Sequence, residues 1–306
     1  MNRIHPDIVA CYLYVITRHG YPPDASRSPL HLKEMAGLGF QNIELEGIRR
    51  EHLEEMISLG KVLRERADEL GLEIPVFCIV LPGLSAPDPV ERDRNLELFA
   101  KGCDLAVTLG AGSVLDNAPI PPWIFPGEIP VTRHYGGKEL ARATLPAGLR
   151  WDHYWEELVE TYREACDIAA GRNLTYQLHP CFGALVNSTD AYLLFAGEVK
   201  RENMRFNLDT ANQFYMKEHL PLSLIRLEGH VDYIHISDNR GTKLEHLVPG
   251  TGNIGWEGFF VTLDTTGFHG KFGIDVGGAE SGVADLDGAY RSTADWLTER
   301  WFKHRS

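Results

Sequence analysis

The chain has no C-x-x-C pair, and its five cysteines (Cys11, Cys78, Cys103, Cys166, Cys181) are odd in number and scattered over 306 residues. That argues against a zinc finger or a disulfide scaffold and for reduced, buried thiols. It also lacks any apolar run near the ~20 residues that cross a bilayer, so no membrane span is expected. Basic charge is in deficit, with 30 Lys and Arg against 43 Asp and Glu and a net charge of −13, which makes the phosphate backbone of a nucleic acid a poor partner. There is no repeat, low-complexity tract or linker. The first twenty residues show no small-residue cleavage pattern, so they read as a strand rather than a leader, and the expected location is the cytoplasm.

What is present is alternation. Apolar runs of strand length at 8–16, 41–46, 74–81, 111–115, 173–179, 204–209, 231–237 and 271–276 are separated by helical patterns at 29–38, 49–71, 88–109, 151–171, 188–200, 215–228, 255–267 and 285–303. The helix at 49–71 has Leu53, Met56, Ile57, Leu63 and Leu70 on one stripe and Gly71 as its C-cap. Eight strands, each followed by a helix, predict an α/β fold, a (β/α)8 TIM barrel, as one domain over 1–306. Residues 116–148 break the rhythm with six prolines and no period. A loop that long in a compact domain is usually functional, and Trp123, Phe125 and Tyr135 give it something to pack, so it reads as a lid or partner surface at the barrel mouth.

In a barrel of this kind the chemistry sits at the C-terminal ends of the strands. Those ends carry Glu44 and Glu46, Gln177 and His179, Asn207 and Asp209, His235 and Ser237, and Asp275. Members of each pair are two residues apart and face the same way. Gln177, Asp209, His235 and Asp275 come from four successive strands, and one imidazole with oxygen donors suits Mn²⁺ or a similar ion such as Co²⁺, Fe²⁺ or Mg²⁺. The plainer alternative makes His235 a hydrogen-bonded core histidine and Asp209 a helix N-cap.

The segments GFQNIELEG, LTYQLHPCFGALVNSTDAYLLF, MRFNLDTANQF and YIHISDNRG…VPGTGNIGW resemble the xylose-isomerase-like TIM barrels of the sugar phosphate isomerase/epimerase group. That resemblance implies a divalent metal held by Glu, Asp, His and Glu at strands five to eight, the positions of Gln177, Asp209, His235 and Asp275. Two departures stand out. Gln177 is an amide that cannot accept a proton, and Asp275 is a methylene shorter than Glu, so two-base epimerisation is weakened. Two carboxylates also balance a divalent ion where three would leave the site negative, which makes the ion a stronger Lewis acid.

Without a base on strand five, His134 in the TRHY segment is the expected general base, with His179 and His246 as competitors. Glu46, Asn212, Arg240 and Trp123 are the expected substrate contacts. The stretch PPWIFPGEIPVTRHY resembles the large subunit of the C-glycoside deglycosidases. This implies a lyase that takes a proton alpha to a metal-bound ketone of a 3-oxo-glucoside and eliminates the aglycone, working with a small β-rich partner subunit, and a homo-oligomer is also expected. The alternatives are a metal-dependent ketose or keto-inositol isomerase, epimerase or dehydratase, and a catalytically inactive sugar-binding scaffold.

Overall fold

Strands covered on both faces are apolar at nearly every position, and β3 (Glu73–Val80) shows this, with six of its eight residues buried. The computed structural model describes residues 4–127 and 133–303. Its other strands are β1 (Ile8–Ala10), β2 (Asn42–Ile48), β4 (Ser113–Asn117), β5 (Thr175–His179), β6 (Met204–Phe206), β7 (Leu208–Asp209), β8 (Tyr233–Ile236) and β9 (Lys271–Ile274). All pair in parallel in the order β6-β5-β4-β3-β2-β1-β9-β8-β7. β6 and β7 are two pieces of the expected sixth strand, pinched at Asn207. The Phe206 amide donates to the His230 carbonyl and the Asn207 amide to the Leu178 carbonyl, which ties both sides of the seam into a nearly closed barrel. The sheet is that of a TIM barrel.

The helices are α1 (Leu13–His19), α2 (Ser28–Gly37), α3 (Arg49–Ser58), α4 (Gly60–Leu70), α5 (Pro89–Leu109) and α6 (Gly137–Leu140). Then follow α7 (Trp151–Ala170), α8 (Thr189–Val199), α9 (Thr210–Tyr215), α10 (Leu220–Arg226), α11 (Trp256–Thr265) and α12 (Leu286–Leu297). α7 shows why such helices form: Tyr154, Leu158, Thr161, Tyr162, Ala165 and Ala169 recur at helical spacing and are its buried stripe. Leu158 is wholly buried, so Leu158→Ala costs ~2–5 kcal/mol. Asp88, Ser188, Asp209 and Asp285 cap α5, α8, α9 and α12 through their side chains.

Three expectations are corrected. The run 8–16 is a strand only at Ile8–Ala10 and turns into α1, because the core covers Leu13 to Ile16 on all sides and a short fully apolar run has no readable period. The helix at 49–71 is two helices meeting at Leu59, where Gly60 weakens the helix and leaves room for Leu105 of α5. The helix at 215–228 is confined to α10 at Leu220–Arg226, and α9 at Thr210–Tyr215 precedes it as a separate helix.

The large core lies between sheet and helices, while Val9, Val76, Cys78, Leu115 and Tyr233 form a smaller cluster inside the barrel. Gly273 makes that inner packing possible, since a Cβ there would collide with the Tyr233 hydroxyl and Cys11 Sγ. Of the 116–148 excursion, residues 128–132 lie outside the described part. The remainder holds α6 and an antiparallel bridge between Ile124 and Thr144, and Arg133 reaches Glu280 at 3.2 Å. No described helix is long and apolar enough to cross a membrane.

Candidate metal and sugar site

Strand alternation sends every second side chain into the barrel, and at the C-terminal ends those side chains converge. The ligand-capable atoms of His179, Asp209 and His235 lie within 4.8 Å of one another, as do those of Asp209, His246 and Asp275. Asp209 caps α9 and also faces the cluster. One carboxylate oxygen accepts the Asn212 amide at 2.8 Å as the α9 cap, and the other lies 3.7 Å from both His179 Nε2 and His246 Nε2.

For His235 and His179, hydrogen bonds settle which nitrogen faces the cluster. Glu44 accepts from the Tyr233 hydroxyl at 3.0 Å and from His235 Nε2 at 3.1 Å, so the proton of His235 sits on Nε2 and Nδ1 faces Asp275 at 3.9 Å. Asn207 donates its Nδ2 to the Tyr233 carbonyl, so its Oδ1, 2.7 Å from His179 Nδ1, accepts the proton there. His179 Nε2 is then a bare lone pair beside Asp209. His246 lies between Asp209 and Asp275 on one side, 3.7 and 3.6 Å from Nε2, and Glu280 on the other, 3.4 Å from Nδ1.

The field at this floor is strongly negative. Burial works against a charged His235, yet Glu44, Asp275 and Asp209 push its pKa up to about 9. Burial likewise opposes charge on His246, but Asp209, Glu280 and Asp275 push it up to about 10. Asp209 is held well below the usual carboxylate range by His246, His179 and His235 despite full burial. Carboxylates that draw protons onto two buried imidazoles attract a divalent cation by the same field, and a cation displaces those protons on binding. Gln177 Oε1 and His235 Nδ1 are buried without a hydrogen bond among the described residues, so Gln177 Oε1 is free to donate a lone pair and His235 Nδ1 can do so once its proton is displaced. The residue set fits a mixed oxygen and nitrogen metal site.

Beside this floor Glu46, on the inner face of β2, is pushed up to about 8 by burial and by the neighbouring Glu44 carboxylate. It lines the polar chamber with Asn117, His134, His179, Asn212, His235 and Asp275. His134 also faces an adjoining apolar cleft walled by Trp123, Tyr135, Phe182 and Ile120, and the two share Tyr21, Asn117, Arg133 and Cys181. Phe125 stacks on Tyr135 at 4.2 Å between centroids and meets Trp123 edge-on.

Asp209, His235 and Asp275 are therefore brought together, with His179 and His246 added. Gln177 sits two residues before His179 on the same inner face, 2% exposed. Asn212 is committed to Asp209, its Nδ2 donating at 2.6 Å. Arg240 departs from expectation: it is exposed and bonded to Glu245 at 2.8 Å, because the loop after β8 turns it away from the chamber. His134 departs in its chemistry, since burial and the Arg133 charge push its pKa down to about 3, leaving a neutral, weak base. His246, read from sequence only as a competing base, lies inside the ligand cluster. Its only sequence signal is its place just before the VPGTG turn.

The xylose isomerase-like TIM barrel family profile matches residues 32–300. An inosose dehydratase of Erwinia tasmaniensis is 24% identical over 145 residues, 41% of this chain and 48% of that relative, so the chain matches about half its length. Among solved structures, a D-allulose 3-epimerase from Methylomonas sp. superposes with a TM-score of 0.72 at 17% identity, covering 98% of this chain and 100% of the other. A 3-keto-D-glucoside 4-epimerase from E. coli gives 0.70 at 15% identity, covering 96% and 100%. The IOLI protein with a bound zinc atom gives 0.68 at 17% identity, covering 97% and 98%.

Proposed function

The chain belongs to the xylose isomerase-like TIM barrel family, and from that premise we propose that it is a divalent-metal-dependent carbon–carbon lyase acting on a 3-oxo-C-glycoside. Its relatives and structural neighbours include sugar epimerases and an inosose dehydratase, which supports an enzyme of keto-sugars. The observation that carries the lyase reading is the two-part cleft. A polar, carboxylate-rich chamber adjoins an aromatic cavity suited to an aglycone, and the two share Tyr21, Asn117, Arg133, His134 and Cys181 in their walls.

Asp209, His235 and Asp275 hold the cation, with His246 and the Gln177 amide oxygen completing the set. When bound, the cation supplies Lewis acidity toward the ketone. Mn²⁺, Co²⁺, Fe²⁺ or Mg²⁺ each suits such donors, and the zinc bound by the IOLI protein, a structural neighbour, supports a divalent metal here. Glu46 takes the C2 proton, because a carboxyl held at about 8 is matched to work near neutral pH. The electron pair left at C2 forms the C1–C2 double bond as the C1–aglycone bond breaks. Water delivers a proton to the ring carbon that bears the sugar while a ring phenol passes to its keto tautomer. The pair released when the C1–aglycone bond breaks therefore rearomatises the ring with its charge on that oxygen, and the products are an unsaturated keto-sugar and the aglycone phenolate. His179 accepts a sugar hydroxyl at Nε2, its ring held by Asn207. One base suffices for this elimination, whereas epimerisation requires a second proton donor on the opposite face, where Gln177 has none to give.

The test is incubation with Mn²⁺ and a 3-oxo-C-glucoside in D₂O. Release of aglycone, with deuterium entering C2 of recovered substrate, is expected; an inert glucoside alongside epimerised free ketoses contradicts the reading. The inosose dehydratase match favours a second reading in which the same deprotonation expels water from a keto-inositol, and that substrate belongs in the same panel.

A further inference from the structure

Arg49 is set apart from the other cations of the cleft. It follows β2 directly and opens α3, at φ 59°, a left-handed conformation that residues with side chains seldom adopt. Such a conformation at a ligand cleft points to a side chain held in place for use. Arg49 lines both the apolar cleft and the wider opening beyond it. Its Nε is fully buried without a hydrogen bond, and the guanidinium forms no ion pair among the described residues. The neighbouring cations are spent: Arg50 pairs with Glu54 and Arg133 with Glu280.

The acids nearby leave its charge unbalanced. Asp116, on the same cleft wall, is turned to the Tyr176 hydroxyl, from which it accepts a hydrogen bond, and burial pushes its pKa up to about 8, which favours its neutral form. Glu51 and Glu91 lie at the outer opening and do not bridge to Arg49. In a chain of net charge −13, a guanidinium that forms no ion pair among the described residues and lines the same cleft as Trp123 and Tyr135 is a place for an anion.

We infer that Arg49 is an anion-recognition residue of the apolar cleft, taking a carboxylate or phenolate carried on an aromatic ring beside Trp123 and Tyr135. In the reaction proposed above, on which this role rests, the electron pair passing into the departing ring places charge on a ring oxygen, and Arg49 stabilises it. The binding site itself is tested without turnover. Metal-loaded wild-type protein is titrated with benzoate and with benzamide, its neutral isostere, by calorimetry and tryptophan fluorescence. Benzoate is expected to bind about tenfold more tightly, an advantage that fades with salt.

Arg49→Met should lose that tenfold for benzoate and leave benzamide unchanged, which separates Arg49 from any attraction of benzoate to the cation. Arg49→Lys should lose only part of it and stands in if the Met variant fails to fold. Equal affinity of the two ligands in wild type, or full benzoate preference in the substituted proteins, overturns the inference. Benzoate preference that depends on Arg49, combined with no aglycone release, refutes the lyase while leaving the Arg49 subsite standing.

Discussion

The floor and the wall of the cleft treat the same side chain in opposite ways. On the floor, carboxylates lift His235 to about 9 and His246 to about 10. On the wall, burial and Arg133 press His134 down to about 3. The difference teaches that residue type alone does not assign a role. The floor is electronegative, whereas the wall is apolar and carries the Arg49 and Arg133 guanidiniums at its edge.

The sharpest way to break this comparison is to move the base. Glu46→Gln should lower kcat by about 10² to 10⁴-fold with metal content retained, whereas His134→Gln should lower it less than tenfold. Turnover should rise as pH increases toward about 8, because Glu46 works as the ionised carboxylate and its pKa is raised. Steady-state kinetics of both variants across pH checks this, and the reverse ranking restores His134 as the base.

Gln177→Glu tests the floor's charge with a smaller effect. A third carboxylate should tighten Mn²⁺ while lowering the lyase rate by about tenfold, since the cation's charge is then overcompensated. Metal titration and aglycone release measured on the same sample read both changes, and a faster lyase refutes the charge argument.

The smallest effect lies away from the site. His31 is buried beside His19 and held down to about 4, mainly by burial. Its unfolded value is ~6.5, so between that pH and about 4 the unfolded chain binds a proton that the folded one refuses. Stability therefore falls as pH drops through this window. His31→Phe should flatten that fall, measured as urea midpoints at pH 7 and pH 5.

Much of the barrel was legible because strand length, apolar runs and the alternation with helices are local properties of the chain. The first strand was overread because Leu13 to Ile16 are buried on every side, and the sixth was read without its pinch because Asn207 is held by the distant Tyr233 carbonyl and His179. At the site, parity sufficed to gather Asp209, His235 and Asp275. It did not reveal Glu44 as the partner that orients His235, because that pair spans 191 residues. Nor did it reveal His246, which arrives on a loop with no period, or the chemistry of His134, which is set by the charge and burial around it. Arg49 carried no signal, since an absent partner and a left-handed backbone exist only in three dimensions.

The central claim is that Asp209 and His235 jointly hold one divalent ion, and Mn²⁺ titration followed by electron paramagnetic resonance tests it most directly. Wild-type protein should take up one equivalent before the signal of free aqueous Mn²⁺ appears, and Asp209→Ala and His235→Ala should each show free Mn²⁺ from the first addition. Full uptake by either variant, or none by the wild type, would contradict it.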